Sequence, residues 1–436
     1  MENNAVYLRH AVSQEQIKGE DVVFVHEDLQ NLCPNPAVMC KWSLYCVCDG
    51  HGGRSAAKYM EENLAREMAK RLPAQCPPPL FTTGWQVWGD KVREAVVDTF
   101  LHLDKDFESR GAHAMSSSVG CTVSLALVCG HLLTVANIGD SEAFLDTGRK
   151  YIVEMTKSHK IDINVKEQER LKDAGRQVTQ LGIDLYRPAE DGERGVGPLR
   201  VWPCGLAVSR SLGDYDCGCE VTAAPHIRQV EIPMPGARLI LASDGLWDHV
   251  TSRQACKQAR KSRIHEVPEA LIRFAESKSK QGGLTDDTSV LVLDMLPNSR
   301  DDFKDVVKKL RGPISAIKRF VRNKDVVKPA LLADYDGVEK VDSCPLPASN
   351  TPFTRATTYD GEVVPVSLNN GGGDSQVSIS TEGEGRQMSL GTDGEDSHEL
   401  FVLGSNSKQD SLACFGPDAN VSKILNPDAI AASESL

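Results

Sequence analysis

The run LYCVCDGHGG, residues 44–53, ends an apolar stretch on a carboxylate, Asp49, and sets an imidazole, His51, among glycines that include Gly50. Four other apolar runs carry acids at one end. Asp140 follows LLTVANIG, Asp244 follows RLILAS with Asp248 four residues on, Asp286 and Asp287 precede TSVLVLDML, and Glu20 and Asp21 precede VVFV. Most of these acids adjoin a glycine, which lets the backbone turn tightly or approach closely. Taken singly, each is an ordinary turn former or helix cap. Brought together by converging strands, they would offer hard oxygen donors, the set that suits Mg²⁺ or Mn²⁺. The imidazole of His51 would then stand beside the ions, able to exchange a proton near neutral pH.

The elements that must position these residues alternate in blocks. DVVFVHEDL and WSLYCVCDG read as strands, and RSAAKYMEENLAREMAKRL reads as a helix. The proline cluster CPPPLF interrupts the chain before a second helix over 89–108, where Val92, Val96, Phe100, Leu103 and Phe107 recur at three and four residues. Paired strands follow near 120–128 and 131–138, then AFLDTG with KYIVEM, a helix NVKEQERLKDAG ending at Gly175, and the strands RLILASDG and SVLVLDML. Grouped hairpin strands with separately grouped helices predict an α+β domain with antiparallel sheets.

Charge divides the chain. Residues 331–436 hold 17 acidic against 5 basic residues, a balance of −12 that equals the charge of the whole 436-residue chain. Residues 1–330 are neutral overall, which leaves no electrostatic footprint for nucleic acid. The segmentation expected is a catalytic domain over 1–298, a basic helical extension over 299–330, and an acidic, Ser/Gly-rich tail over 331–436 with too few apolar residues to fold. In the extension, Phe303, Val306, Val307 and Leu310 share one helical face, and Ile314, Ile317, Phe320 and Val321 share another. The lysines and arginines of this pair fit a helical pair packed on the domain more readily than a membrane-surface or partner-binding segment. The 13 cysteines show no C-x-x-C framework, and MENNAVYLRHAV lacks a basic-then-apolar leader. Reduced thiols and an intracellular, monomeric protein are expected. CTVSLALVCGHLLTVANIG is interrupted by Gly130 and His131 and reads as two strands, so no membrane span is expected.

DGHGG, GCTVSLAL, VANIGDSEAFL, HKIDINVKEQERLKDAGRQV, LAVSRSLGD, LASDGLWDHV and TDDTSVLVLD occur in the order found in metal-dependent protein phosphatases of type 2C. The resemblance covers residues 15–295. It implies a two-sheet antiparallel β-sandwich flanked by helices, with a binuclear Mg²⁺/Mn²⁺ centre at one end. It further implies a serine/threonine phosphatase whose substrates are phosphorylated proteins. By position, Asp49 resembles the carboxylate bridging both ions, and Gly50 a carbonyl ligand. Asp244 and Asp286 resemble ligands of one ion, with Glu20 serving the other. Asp140, Asp244 and Asp248 resemble a weaker third site, Asp21 an acceptor for metal-held water, and His51 the general acid for the leaving oxygen.

Four positions depart from that pattern, one of them Gly19, before Glu20, where a methionine is common. The residue four before the first acidic pair, usually an arginine that grips the substrate phosphate, is Gln16. Lys18, Arg54 and Arg9 are the replacement cations within sequence reach. In GDSE, Glu142 stands where an arginine is usual, and in TKSHK, Ser158 stands where an aspartate is usual. The alternative is a catalytically weakened relative serving as a binding or scaffolding module. The complete carboxylate set favours the enzyme.

Overall fold

Residues 6–32, 40–79, 82–110, 118–148, 151–234, 236–280, 282–297, 301–311 and 329–340, with six short strands beyond, are described by the computed structural model. The chain opens with β1 (Tyr7–Glu15), β2 (Val22–His26) and β3 (Trp42–His51), then two helices, α1 (Ser55–Arg71) and α2 (Thr83–Ser109). Strands β4 (Gly120–Cys129), β5 (Leu132–Ile138), β6 (Glu142–Asp146) and β7 (Ile152–Glu154) precede α3 (Val165–Asp173). A hairpin of β8 (Gln177–Leu181) and β9 (Val196–Trp202) leads to β10 (Leu212–Gly213), β11 (His226–Glu231) and β12 (Ala237–Ala242). Helices α4 (Asp244–Trp247), α5 (Ser252–Ala259) and α6 (Val267–Glu276) come before β13 (Thr288–Leu296), α7 (Phe303–Arg311) and β14 (Leu331–Asp336).

Two antiparallel sheets result. One has the order β1-β13-β12-β6-β7, and the other β14-β11-β5-β4-β3-β2 with β10 beside β4. The period of two in β3 shows how they pack. Leu44, Cys46 and Cys48 join Met60, Leu64, Val96 and Phe100 of α1 and α2, while Tyr45 and Val47 join Leu239, Leu241, Leu291 and Leu293 of the other sheet. Both faces are covered, so the strand is an unbroken apolar run rather than an alternating one. On the outer face of the β1-β13-β12-β6-β7 sheet, Ile240, Ala242, Val290 and Val292 pack on Ala255, Val267 and Leu271. The expected sandwich flanked by helices is therefore the fold.

The structure corrects the segmentation in one place. Residues 331–336, assigned by composition to the tail, form β14, paired with β11 through His226↔Asp336 and Arg228↔Asp334. A six-residue strand is invisible to an average over a hundred acidic residues. Of the basic pair, the first helix packs by Phe303, Val306 and Val307 against Leu296; the second lies outside the described residues. The expectation of reduced thiols throughout is also corrected, since Cys204 and Cys217 are joined in a disulfide. Residues 346–436 form a second unit with two small antiparallel sheets, Thr354–Tyr359, Glu362–Asn369 and Gln376–Ile379 in one, and Met388–Gly391, Leu400–Gly404 and Cys414–Phe415 in the other.

Candidate active site

The alternation that buries Tyr45 and Val47 between the sheets carries Asp49 and His51 to the same side at the end of the sandwich. Gly50 lies between them under a close neighbour: a Cβ there would stand 2.7 Å from the Glu20 carbonyl oxygen. His51 Nε2 meets the Asp214 carboxylate at 2.7 and 2.9 Å. Room for that pair comes from Gly120, directly opposite His51 on β4, where a Cβ would come within 2.7 Å of His51 Nε2 and overlap Asp214. Burial lowers the imidazole pKa, but the Asp214 charge and hydrogen bond outweigh it, and the net shift is upward. Asp214 itself sits at φ +55°, a left-handed conformation uncommon for a residue with a side chain. The turn is held by Asp104 of α2, which accepts from Gly213 N at 2.9 Å and from the Tyr215 hydroxyl.

The N-terminal acids are placed by a different acid. Asp287 accepts five backbone N–H groups: Ile17 at 2.5 Å, Lys18 at 2.6 Å and Gly19 at 3.2 Å on Oδ1, and Glu20 at 2.6 Å and Asp21 at 3.1 Å on Oδ2. Burial works to raise its pKa, and these donors pull it below the usual carboxylate value. Held by this nest, Glu20 accepts from Gly53 N at 2.7 Å, and Asp21 accepts the Ser243 hydroxyl at 2.9 Å. The other Asp21 oxygen is buried without a partner, and burial, opposed by its serine hydrogen bonds, pushes the group up to about 6. Lys18 Nζ lies 2.7 Å from Asp286.

On the far side, Lys160 Nζ stands among Asp140 at 3.4 Å, Asp244 at 3.4 Å and Asp248 at 2.8 Å. Asp49 is central to both groups. Burial raises its pKa well above the usual value, and the charges of Asp21, Asp244, Asp140 and Asp286 raise it further. Burial and the charge of Asp140 likewise push Asp244 up to about 7. Among the described residues no three His, Cys, Asp or Glu side chains are arranged closely enough to hold an ion as they stand. The donor set nevertheless fits a hard divalent cation. It is all oxygen, it is crowded with like charge, one buried carboxylate oxygen has no partner, and two lysine ammonium groups reach into it.

The structure thus brings together Glu20, Asp21, Asp49, Gly50, His51, Asp140, Asp244, Asp248 and Asp286, with Lys18 bound to the last. Gln16 lies exposed at the rim and donates to the Asp21 carbonyl at 3.2 Å. Arg54 is exposed just ahead of α1. Arg9 is removed as a candidate, since it faces Asp294 in register and lies seven residues up β1 from Gln16. Burial with the charges of Glu154 and Asp140 pushes Glu142 up to about 7, and Ser158, another of the departures, acts in the opposite direction. Sequence reasoning missed Asp214, Asp287 and Lys160 as supports of the site. The acid closing LAVSRSLGD was the available signal for Asp214.

A family described as protein phosphatase 2C matches residues 10–282. Probable protein phosphatase 2C 5 of Arabidopsis thaliana is 32% identical over 299 residues, covering 69% of this chain and 64% of that protein. Probable protein phosphatase 2C 33 of Oryza sativa subsp. japonica is 35% identical over 281 residues, covering 64% and 60%. The chain thus spans less than two thirds of the length of these relatives. In fold it is similar to a C. elegans sex determining protein, with a TM-score of 0.52 at 21% identity over 69% of this chain and 67% of that one. It is also similar to a serine-threonine phosphatase 2C from Toxoplasma gondii, with a TM-score of 0.50 at 19% identity over 68% and 96%.

Proposed function

This chain belongs to the protein phosphatase 2C family, and we propose that it hydrolyses phosphoserine and phosphothreonine esters in proteins with the help of Mg²⁺ or Mn²⁺. The observation that supports this reading is the convergence of Asp21, Asp140, Asp244 and Asp286 on Asp49, beside a histidine held by its own carboxylate. Asp49, the Gly50 carbonyl, Asp244 and Asp286 would hold two ions with the help of Glu20, while Asp21 would accept from metal-held water. Asp140, Asp244 and Asp248 would hold a third, more weakly. Bound ions would acidify the attacking water and neutralise charge on the phosphoryl oxygens.

The chain's own residues do the rest. Nε2 of His51 is committed to Asp214, which leaves Nδ1 for the substrate. As the water oxygen bonds to phosphorus and the ester P–O bond breaks, the leaving oxygen takes the Nδ1 proton. The proton lost by water restores the imidazolium through solvent. Asp214 fixes the ring and favours its protonated form. Lys18, 2.7 Å from Asp286, or Arg54, exposed ahead of α1, would meet the substrate phosphate.

The test is turnover of a phosphothreonine peptide with Mn²⁺ and then with EDTA, repeated for His51→Gln. Chelation should abolish turnover. His51→Gln should cost about 10²–10⁴-fold on the peptide and much less on p-nitrophenyl phosphate, whose leaving group needs no proton. Full activity in EDTA overturns the metal reading, and equal losses on both substrates overturn the role of His51.

A further inference from the structure

Strand β14 lies beyond residues 10–282, the span that matches the family, yet it reaches a group that supports the site. Arg210 is 1% exposed and its guanidinium holds two carboxylates at once. One is Glu167 of α3, at 2.6 Å from Nη2 and 3.2 Å from Nε. The other is Asp336 of β14, at 2.7 Å from Nη1 and 3.1 Å from Nη2. Arg170 also grips Glu167, at 2.8 Å. Two guanidinium groups and two carboxylates balance only while Asp336 is present. A buried cation that loses its counter-charge is strongly disfavoured, so the surrounding backbone would have to shift or admit water.

Two routes run from this cluster to the reacting groups. Along the chain, Arg210 precedes by four residues Asp214, the partner of His51. Through space, Glu167 accepts the Ser209 hydroxyl at 2.6 Å, Ser209 N donates to the His159 carbonyl at 3.0 Å, and His159 N donates to the Gly139 carbonyl at 3.0 Å. Gly139 and His159 adjoin Asp140 and Lys160, which pair with each other at 3.4 Å.

We propose that Asp336 is a positioning residue, and that β14 is a strap by which a segment beyond the matched span holds Asp214 and Asp140 in place through Arg210 and Glu167. This rests on the phosphatase reading for its kinetic consequence, though not for its structural one. Asp334 supplies the control. It also ties β14 to β11, through His226 at 2.7 Å and Arg228 at 2.6 Å, but does not touch Arg210.

The experiment compares Asp336→Asn with Asp334→Asn in the full chain, by kcat and KM on a phosphothreonine peptide and by hydrogen exchange of residues 207–214. Asp336→Asn should lower kcat by between about fivefold and a hundredfold with KM within about twofold. It should also speed exchange in 207–214. Asp334→Asn should leave kcat and that exchange near wild type. Equal kcat losses in the two variants, or none in Asp336→Asn, would overturn the proposal. A wild-type chain without activity would overturn the phosphatase reading instead, and exchange alone would then decide the strap. If Asp336→Asn is recovered only as aggregate, Asp336→Glu keeps the charge but displaces it by one methylene. Lowered kcat with faster exchange in that variant supports the strap, and wild-type behaviour in both overturns it.

Discussion

Acids gather in two places in this molecule, and their surroundings are opposite. Around Asp49 the neighbours are mostly further carboxylates: burial and like charge together raise Asp49, and burial raises Asp140 and Asp244 against the opposing charge of Lys160. Around Arg210 the neighbours are guanidinium groups. Burial would raise Glu167 and Asp336 as well, but Arg210 outweighs it and both lie below the usual carboxylate range. Carboxylates thus gather as a like-charged set in one region and as counter-charges to guanidinium groups in the other. The first is built for binding and costs stability; the second is built for stability and binds nothing further.

Neutralising one acid in each region breaks the comparison most directly. Asp49→Asn is expected to lower kcat by at least about 10³-fold while leaving the thermal midpoint unchanged or raised, because it relieves repulsion. Steady-state assays and a melting curve check it; a normal rate would remove Asp49 from the chemistry. Glu167→Gln is expected to do the reverse and reduce stability by about 3–5 kcal/mol, since it leaves Arg210 and Arg170 short of a buried counter-charge. Urea unfolding measures this, and a loss below 1 kcal/mol would show that the cluster is not an electrostatic support.

Two smaller effects sharpen it. Gln16→Arg adds a cation at the rim of the like-charged set. It should lower KM for a phosphopeptide by about tenfold with kcat within a few fold, as for a restored charged hydrogen bond to phosphate. An unchanged KM would mean that Lys18 or Arg54 already holds the phosphate. The last is a pH effect. Because the Asp336 pKa is lowered on folding, its contribution is present above the ordinary aspartate value, roughly pH 4, and is lost as pH falls below it. The stability gap between wild type and Asp336→Asn should therefore be constant from pH 5 to 7, to within about 0.5 kcal/mol, and should shrink below about pH 4. A gap that persists unchanged to pH 2.5 would contradict an ionic role.

The strands, their antiparallel grouping and the acids at their ends were legible because these are written locally; the two-sheet sandwich was implied only by the family resemblance. An apolar strand that ends on a carboxylate can be read from ten residues, as at Trp42–His51. What was not legible depends on distant partners. Strand β1 has half-exposed polar positions and no clean alternation, and it is fixed by pairing with β13 some 280 residues away. Asp286 and Asp287 are chemically identical neighbours; only the fold turns one toward Lys18 and the other under five N–H groups. Asp214 required knowing that the chain reverses in a left-handed turn opposite Gly120. β14 was lost in the average composition of the segment that follows it.

The nest around Asp287 has a consequence for the order of events during synthesis. The backbone that presents Glu20 and Asp21 is made among the first residues of the chain, but the carboxylate that shapes it is made some 270 residues later. Closure of that loop is among the most non-local contacts a domain of this size can have, and such contacts form late. A partly translated chain can build β3 and its helices and still lack one wall of the site. Assembly of the acid set is thus tied to completion of the domain, and an unfinished chain lacks the carboxylate that shapes one wall of the site.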